Sequence, residues 1–300
     1  MGEPGVPEMN AYIEEVLKEG ETLGFDGRVV SVGEGEGYAA IAGKKNAKVN
    51  YQVDLIDEIW EDRPVLSEEP AFNLDVKYAG ETVASKLARI REEMKEAGTN
   101  VHVVSTIDDI CWTLNIRGND IDFFPLVLSY GIITMDSFEL YIDEKKLDDK
   151  LKAKLAKDGV NLHPYNDIYE DVKKFGSDVV AMIDPGKLNY ALFNNIPENV
   201  KTVEKRNPAI LMKAIKNPVE IENIRKAQIK DSVAHVRFMK WLKENVGKMR
   251  ITEMSASDKL DEFRAEMGKF IRPSFEPISS FGEHGAIVHY TCLLYTSDAA

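Results

Sequence analysis

Between Val83 and Asp184 two periodicities alternate, and no other feature limits the fold as much. "VASKLARIREEMKEAG" sets Leu87, Ile90 and Met94 at helical spacing and stops at Gly98. "VHVVSTI", "PLVLSYGIITM" and "SFELYID" follow as apolar runs of strand length. "DEKKLDDKLKAKLAKDG" predicts a charged surface helix, and "DVVAMID" (Asp178 to Asp184) a further strand. Strands interleaved with helices build a mainly parallel or mixed sheet with helices on its faces, so the fold class is α/β.

The flanks extend this pattern. Residues 1–70 predict a helix over Met9 to Gly20, a strand at "GRVVSV" (Gly27 to Val32), then helix, strand and a short helix stopped by Pro64. These are too few elements for a complete α/β layer, and we read them as the C-terminal remnant of a first domain. Residues 71–207 form a second α/β domain, reached through the polar stretch "EEPAFNLDVKYAGET". A third segment, 208–290, opens with a long helix. Asn217 is its N-cap, Pro218 its first helical residue, Glu220 its capping-box carboxylate and Gly247 its stop. Thr252 caps a second helix with Ala256, Leu260, Phe263 and Met267 along one face. "SFEPISSFGEHGAIVHY" (Ser274 to Tyr290) then predicts two short strands around a Gly-bounded loop.

Charge and length exclude several roles. With 300 residues, 44% of them hydrophobic, the chain can bury more than one core. A net charge of −13 gains nothing from phosphate backbones or anionic lipid, so nucleic acid and membrane surfaces are not expected partners. The apolar run from Pro125 is too short to span a bilayer, and "MGEPGVPEMN" lacks the regions of a signal peptide. Two distant cysteines, Cys111 and Cys292, form neither a disulfide framework nor a Cys-x-x-Cys clip. A cytoplasmic location is expected.

Few residues announce chemistry by themselves. His289 ends the apolar run "GAIVHY", where an imidazole could bind substrate or shuttle a proton near neutral pH; the plain alternative is a hydrogen-bonded strand histidine. His284 and His289, a His-x4-His pair with Glu283 as a third ligand, invite a zinc reading that no family spacing supports. Asp108 and Asp109 are adjacent, and neighbours along a chain usually diverge, so helix capping after Thr106 is preferred over acid–base work. Arg117 could clamp a carboxylate or sit in a solvated turn. His102, His163 and His235 share no ligand spacing, and the Gly-rich "GEGEGYAA" carries glutamates that would repel a phosphate.

Four stretches together carry a family resemblance: "DLIDEIWEDRP", "IDDICWTLNIRGNDIDFFPLVLSYGII", "AIKNPVEIENIRKAQIKDSVAHVRFMKWL" and "SFEPISSFGEHGAIVHY". From about Gly5 to Tyr290 the chain resembles the three-domain Xaa-Pro aminopeptidases (aminopeptidase P). The resemblance implies creatinase-type N-terminal α/β domains followed by the start of a pita-bread α+β catalytic domain. It implies release of the N-terminal residue from peptides with proline second, by water activated between two divalent ions, manganese foremost. It implies a homodimer. His289 matches the family's rim histidine, which makes it the candidate catalytic and substrate-binding residue. The family's metal ligands, two aspartates, a histidine and two glutamates, lie downstream of that histidine, and no metal residue is assigned here.

Several expectations follow. The chain is expected to be truncated at both ends and inactive as it stands. "TCLLYTSDAA" (291–300) departs from the family and is read as a non-native tail. The stripe of Leu260, Phe263 and Met267 is expected to lie exposed. The rivals are a prolidase- or creatinase-like enzyme of the same fold, or a non-catalytic aminopeptidase-like binding module.

Overall fold

Residues 5–290 are described by a computed structural model. The chain opens with α1 (Met9–Val16), β1 (Thr22–Gly24), α2 (Val32–Lys44) and β2 (Lys48–Asn50). Next come β3 (Phe72–Asn73), α3 (Val76–Ala79), α4 (Val83–Glu96), β4 (Val101–Val104), α5 (Ile107–Leu114) and β5 (Ile116–Arg117). β6 (Tyr130–Thr134), β7 (Phe138–Tyr141), α6 (Asp149–Lys157), β8 (Val160–His163), α7 (Ile168–Asp171) and β9 (Val180–Ile183) continue the alternation. α8 (Tyr190–Asn194), β10 (Lys201–Glu204), α9 (Pro208–Ala214), α10 (Pro218–Asn245) and α11 (Glu253–Glu266) complete it. Two compact units result. One holds the residues up to Val76, Glu81–Asp120 and Leu126–Ile215; the other holds Lys77–Gly80, Ile121–Pro125 and the chain from Lys216.

In the first unit the expected mixed sheet is present, in the order β10-β9-β4-β6-β7-β8. β10, β9 and β4 are parallel, β4, β6 and β7 antiparallel, and β7 and β8 parallel. All four residues of β4 are buried because helices cover both faces of the sheet. Val101 and Val103 point into one core with Ile132 and Leu192, and Val104 points into the other with Ile90, Met94 and Ile133. α4 turns Leu87, Ile90 and Met94 into that second core, as its spacing predicts, and Gly98 follows at φ +68°.

The N-terminal stretch corrects two expectations. "GRVVSV" is not a strand; it is a turn that delivers α2. Asp26 accepts the Arg28 amide, and Ser31 and Glu34 close a capping box, so local side chains take backbone groups that a strand would need. The expected short helix before Pro64 is a series of turns with Asp54 accepting the amides of Ile56 and Asp57. β1 and β2 pair in parallel beneath α1 and α2, where Leu17, Ile41 and Ala42 make a small core. Gly35 of α2 is obligatory, since a Cβ there would stand 2.3 Å from the Tyr190 ring.

The second unit is a helix pair. Asn217 and Glu220 close the predicted capping box on α10, and Asn217 Nδ2 also donates to Ala79 O at 2.8 Å. Arg264 of α11 ties the pair by donating to Asp231 of α10 at 2.8 Å, and Asp261 on its own helix, at 2.9 Å, holds the guanidinium in place. The apolar stripe of α11 is not exposed: Phe263 is buried, and Leu260 and Met267 are half-buried, because α11 lays that face on α10. The exposed apolar residues lie on α10 instead, among them Ile224, Ile229 and Val236. Nor does Ser274 to Tyr290 form strands. It is extended and then turns through a short 3-10 helix, Gly282–Ala286. A strand needs a neighbour for its amides and carbonyls, and the second unit has no other strand among its described residues. The expected non-native tail lies outside the described residues.

Candidate functional site

His289 sits in an exposed turn at φ +59°, a left-handed conformation that residues other than glycine rarely adopt. It does not stand on a strand, so its placement comes from what holds the turn. The turn is closed by Tyr290, which is buried and donates its hydroxyl to Glu253 Oε2 at 2.7 Å. His284 Nδ1 donates to Glu253 Oε1 at 2.9 Å, and the Phe281 amide donates to the same oxygen at 2.5 Å. The His284 and Tyr290 rings stack with centroids 4.7 Å apart. Glu253, the first residue of α11, is thus a buried hub under the segment 281–290. Sequence reasoning missed it, since an acidic residue at a helix start reads as complementing the helix dipole.

His284 therefore pairs with Glu253 and not with Glu283, which is exposed. Among the described residues no three His, Cys, Asp or Glu side chains gather as a metal site. The described residues do not fit a metal pair. Beside α10 and α11 an open groove of about 340 Å³ is lined by Ile224, Asp231, Arg264, Phe270, Arg272 and Phe275. It gathers none of the sequence-derived site residues.

The other candidates are structural. Asp108 and Asp109 do converge, both accepting from Lys213 Nζ, with Asp109 Oδ1 at 2.7 Å. Asp109 Oδ2 also accepts from Thr106 Oγ1 at 2.6 Å and Asn207 Nδ2 at 2.9 Å. Burial pushes the Lys213 ammonium down, but its hydrogen bonds to the two aspartates outweigh that and leave it above the usual lysine value. His102 joins this network from β4. Its Nδ1 lies 3.1 Å from Met182 O and its Nε2 3.3 Å from Asn207 Oδ1. Burial holds the imidazole below its usual value, against the pull of those two hydrogen bonds. His163 pairs with Glu139 at 2.6 Å, and His235 with Asp231 on α10. Burial raises the Glu139 carboxyl, but hydrogen bonds from Ser137, His163 and Asn161 carry it below the usual range. Arg117 donates to the carbonyls of Cys111 and Ile116. Ser31 accepts the Glu34 amide at the Gly-rich helix start, which is a cap and not a phosphate cradle.

Comparison with known proteins gives this geometry a context. Residues 62–220 match the creatinase/prolidase N-terminal domain, and residues 222–298 match metallopeptidase family M24. The chain is 34% identical to a probable Xaa-Pro aminopeptidase P of Sordaria macrospora over 95% of its own length and 49% of that protein's. It is 33% identical to aminopeptidase P2 of Arabidopsis thaliana over 96% of its length and 45% of the relative's. Among solved structures, X-prolyl aminopeptidase from Caenorhabditis elegans, described as a cytosolic enzyme with a di-nuclear active site, superposes with a TM-score of 0.92. That match has 30% identity and covers 99% of this chain and 49% of that one. The chain spans about half the length of the curated relatives it matches.

Proposed function

Because this chain belongs to the creatinase/prolidase N-terminal domain family and runs on into a metallopeptidase M24 match, we propose that it serves a metal-dependent Xaa-Pro aminopeptidase. The protein then releases the N-terminal residue from peptides whose second residue is proline. One observation carries the reading: 99% of the chain superposes on an X-prolyl aminopeptidase at a TM-score of 0.92. Kinship extends the proposal to two divalent ions, manganese foremost, to a homodimer, and to the cytosol. When bound, such an ion pair supplies hydroxide near neutral pH and steadies the developing oxyanion.

His289 is the residue of this chain that we assign to the reaction. It is the exposed imidazole at the end of the segment "SFEPISSFGEHGAIVHY". Exposed in its turn, it is free to hold the peptide by a hydrogen bond and pass a proton at Nδ1 or Nε2. The N-terminal domain matched by residues 62–220 supplies no acid–base pair of its own, because its Asp108, Asp109, His102 and Arg117 are committed to internal partners.

The test compares Xaa-Pro-Yaa with Xaa-Ala-Yaa peptides, using the protein carried through its M24 domain and supplied with manganese. We expect release of the first residue from the proline peptides alone, loss of activity with a chelator, and a fall of about 10²- to 10⁴-fold in kcat/KM for His289→Ala. The 300-residue chain should give no turnover with added manganese, because its described residues gather no metal site. Equal turnover of both peptide series, or turnover by the 300-residue chain, would overturn the reading.

A further inference from the structure

Glu253 is a buried carboxylate that accepts from three donors in one short segment. Residues 281, 284 and 290 each send it a hydrogen bond, at 2.5, 2.9 and 2.7 Å. The donors are chemically unlike: a backbone amide, an imidazole Nδ1 and a phenol. Glu253 itself is only 6% exposed and stands in the first turn of α11, where the helix end favours negative charge. His284 and Tyr290 flank residues 285–289, and their stacked rings close that span on itself.

His289 lies inside the span, next to the Tyr290 anchor, in its left-handed turn. A non-glycine residue persists there only when its surroundings over-determine it. The flanking residues Ile287 and Val288 are exposed and offer it no packing. Its chain neighbour Tyr290 is held by its hydroxyl on Glu253.

We propose that Glu253 is the positioning residue of the His289 turn, acting through His284 on one side and Tyr290 on the other. What His289 then does rests on the aminopeptidase reading; how its turn is held does not. The anchor lies at the first residue of α11, and the segment adds its own backbone hydrogen bonds from the His284 amide to Phe281 O and from the Ile287 amide to His284 O. Losing Glu253 removes the shared acceptor of three donors at once and loosens the turn that carries His289.

Two measurements on the 300-residue chain test this: amide hydrogen exchange across 281–290, and the ring resonances of His289 assigned with His289→Gln. For Glu253→Ala we expect the His289 resonances to move to mobile-loop positions. The Phe281 amide should lose roughly ten- to hundredfold of its protection, as befits a hydrogen bond to a charged group. Glu253→Gln keeps one acceptor oxygen and should restore most of both signals. Phe263→Ala, a core deletion in the same helix, should lower stability while leaving His289 unmoved. Unchanged His289 resonances in Glu253→Ala, or an equal response in Phe263→Ala, would overturn the proposal. Neither readout depends on turnover, so absence of Xaa-Pro hydrolysis by the wild-type protein counts against the aminopeptidase reading alone.

Discussion

Acidifying the protein from pH 7.5 to 5 should destabilise its first unit through one residue, His102. The imidazole is 1% exposed at the centre of the sheet, and burial holds it below its usual value. Both of its neighbours, Met182 O and Asn207 Oδ1, are acceptors, and a neutral ring donates to only one of them. In the unfolded chain the same ring binds a proton near pH 6.5. Below that value the unfolded state holds more protons than the folded one, so stability rises with pH and falls as pH drops. The stability is fully present above the unfolded value and is lost through the window between it and the lower folded one. The slope is at most about 1.4 kcal/mol per pH unit for one proton, giving about 2 kcal/mol of loss by pH 5 if the folded ring stays neutral throughout. Urea midpoints of the first unit, followed through the buried Trp112, measure it. His102→Gln removes the titration while keeping a donor, so its stability should vary less with pH by that amount. Identical slopes for the two proteins between pH 7.5 and 5 would refute the argument.

Lys213→Met should destabilise the same unit by about 2–3 kcal/mol in urea unfolding, because it strips the ammonium from Asp109, which is 1% exposed; the partial exposure of Lys213 keeps the figure below that of a fully buried pair. Gly131→Ala should lower stability by about 1–3 kcal/mol in thermal unfolding, since a Cβ there meets the Phe138 ring at 2.6 Å inside the packed β6–β7 hairpin. Asn217→Ala should lower the stability of the second unit by about 1 kcal/mol, read by circular dichroism, as α10 loses its cap. Cys111 should resist alkylation at pH 8 in the native chain, followed by peptide mass spectrometry, because burial pushes its thiol up to about 11.

Where structure is set by near neighbours, the sequence is readable. Asn217, Pro218 and Glu220 announce the start of α10 because the cap closes within four residues. Leu87, Ile90 and Met94 announce α4 because they share one face of one helix. What needs distant partners is not readable. Lys213 reaches Asp109 across 104 residues, and neither residue marks the other. Ser274 to Tyr290 has strand-like composition but no partner strand, so its amides turn instead to Glu253 and to one another. The Glu253 hub left only an acidic residue at a helix start. His289 drew notice as a histidine after apolar residues, and family likeness, not chemistry visible in the sequence, gave it a role.

The strand order has a consequence for how the first unit assembles. β6 and β7 are joined by a turn of three residues and can pair as soon as they are made. β4 must instead find β9, with Val101 set against Ala181. Closing a loop of some 80 residues costs about 2–3 kcal/mol more chain entropy than closing the hairpin. That debt is settled only when β9 arrives and covers both cores. On a ribosome, the β4–β6–β7 half emerges well before β9 and β10, with the β9 side of β4 open. The long-range docking of β9 on β4 is therefore the step expected to pace refolding of this unit, with that edge of β4 open until it occurs.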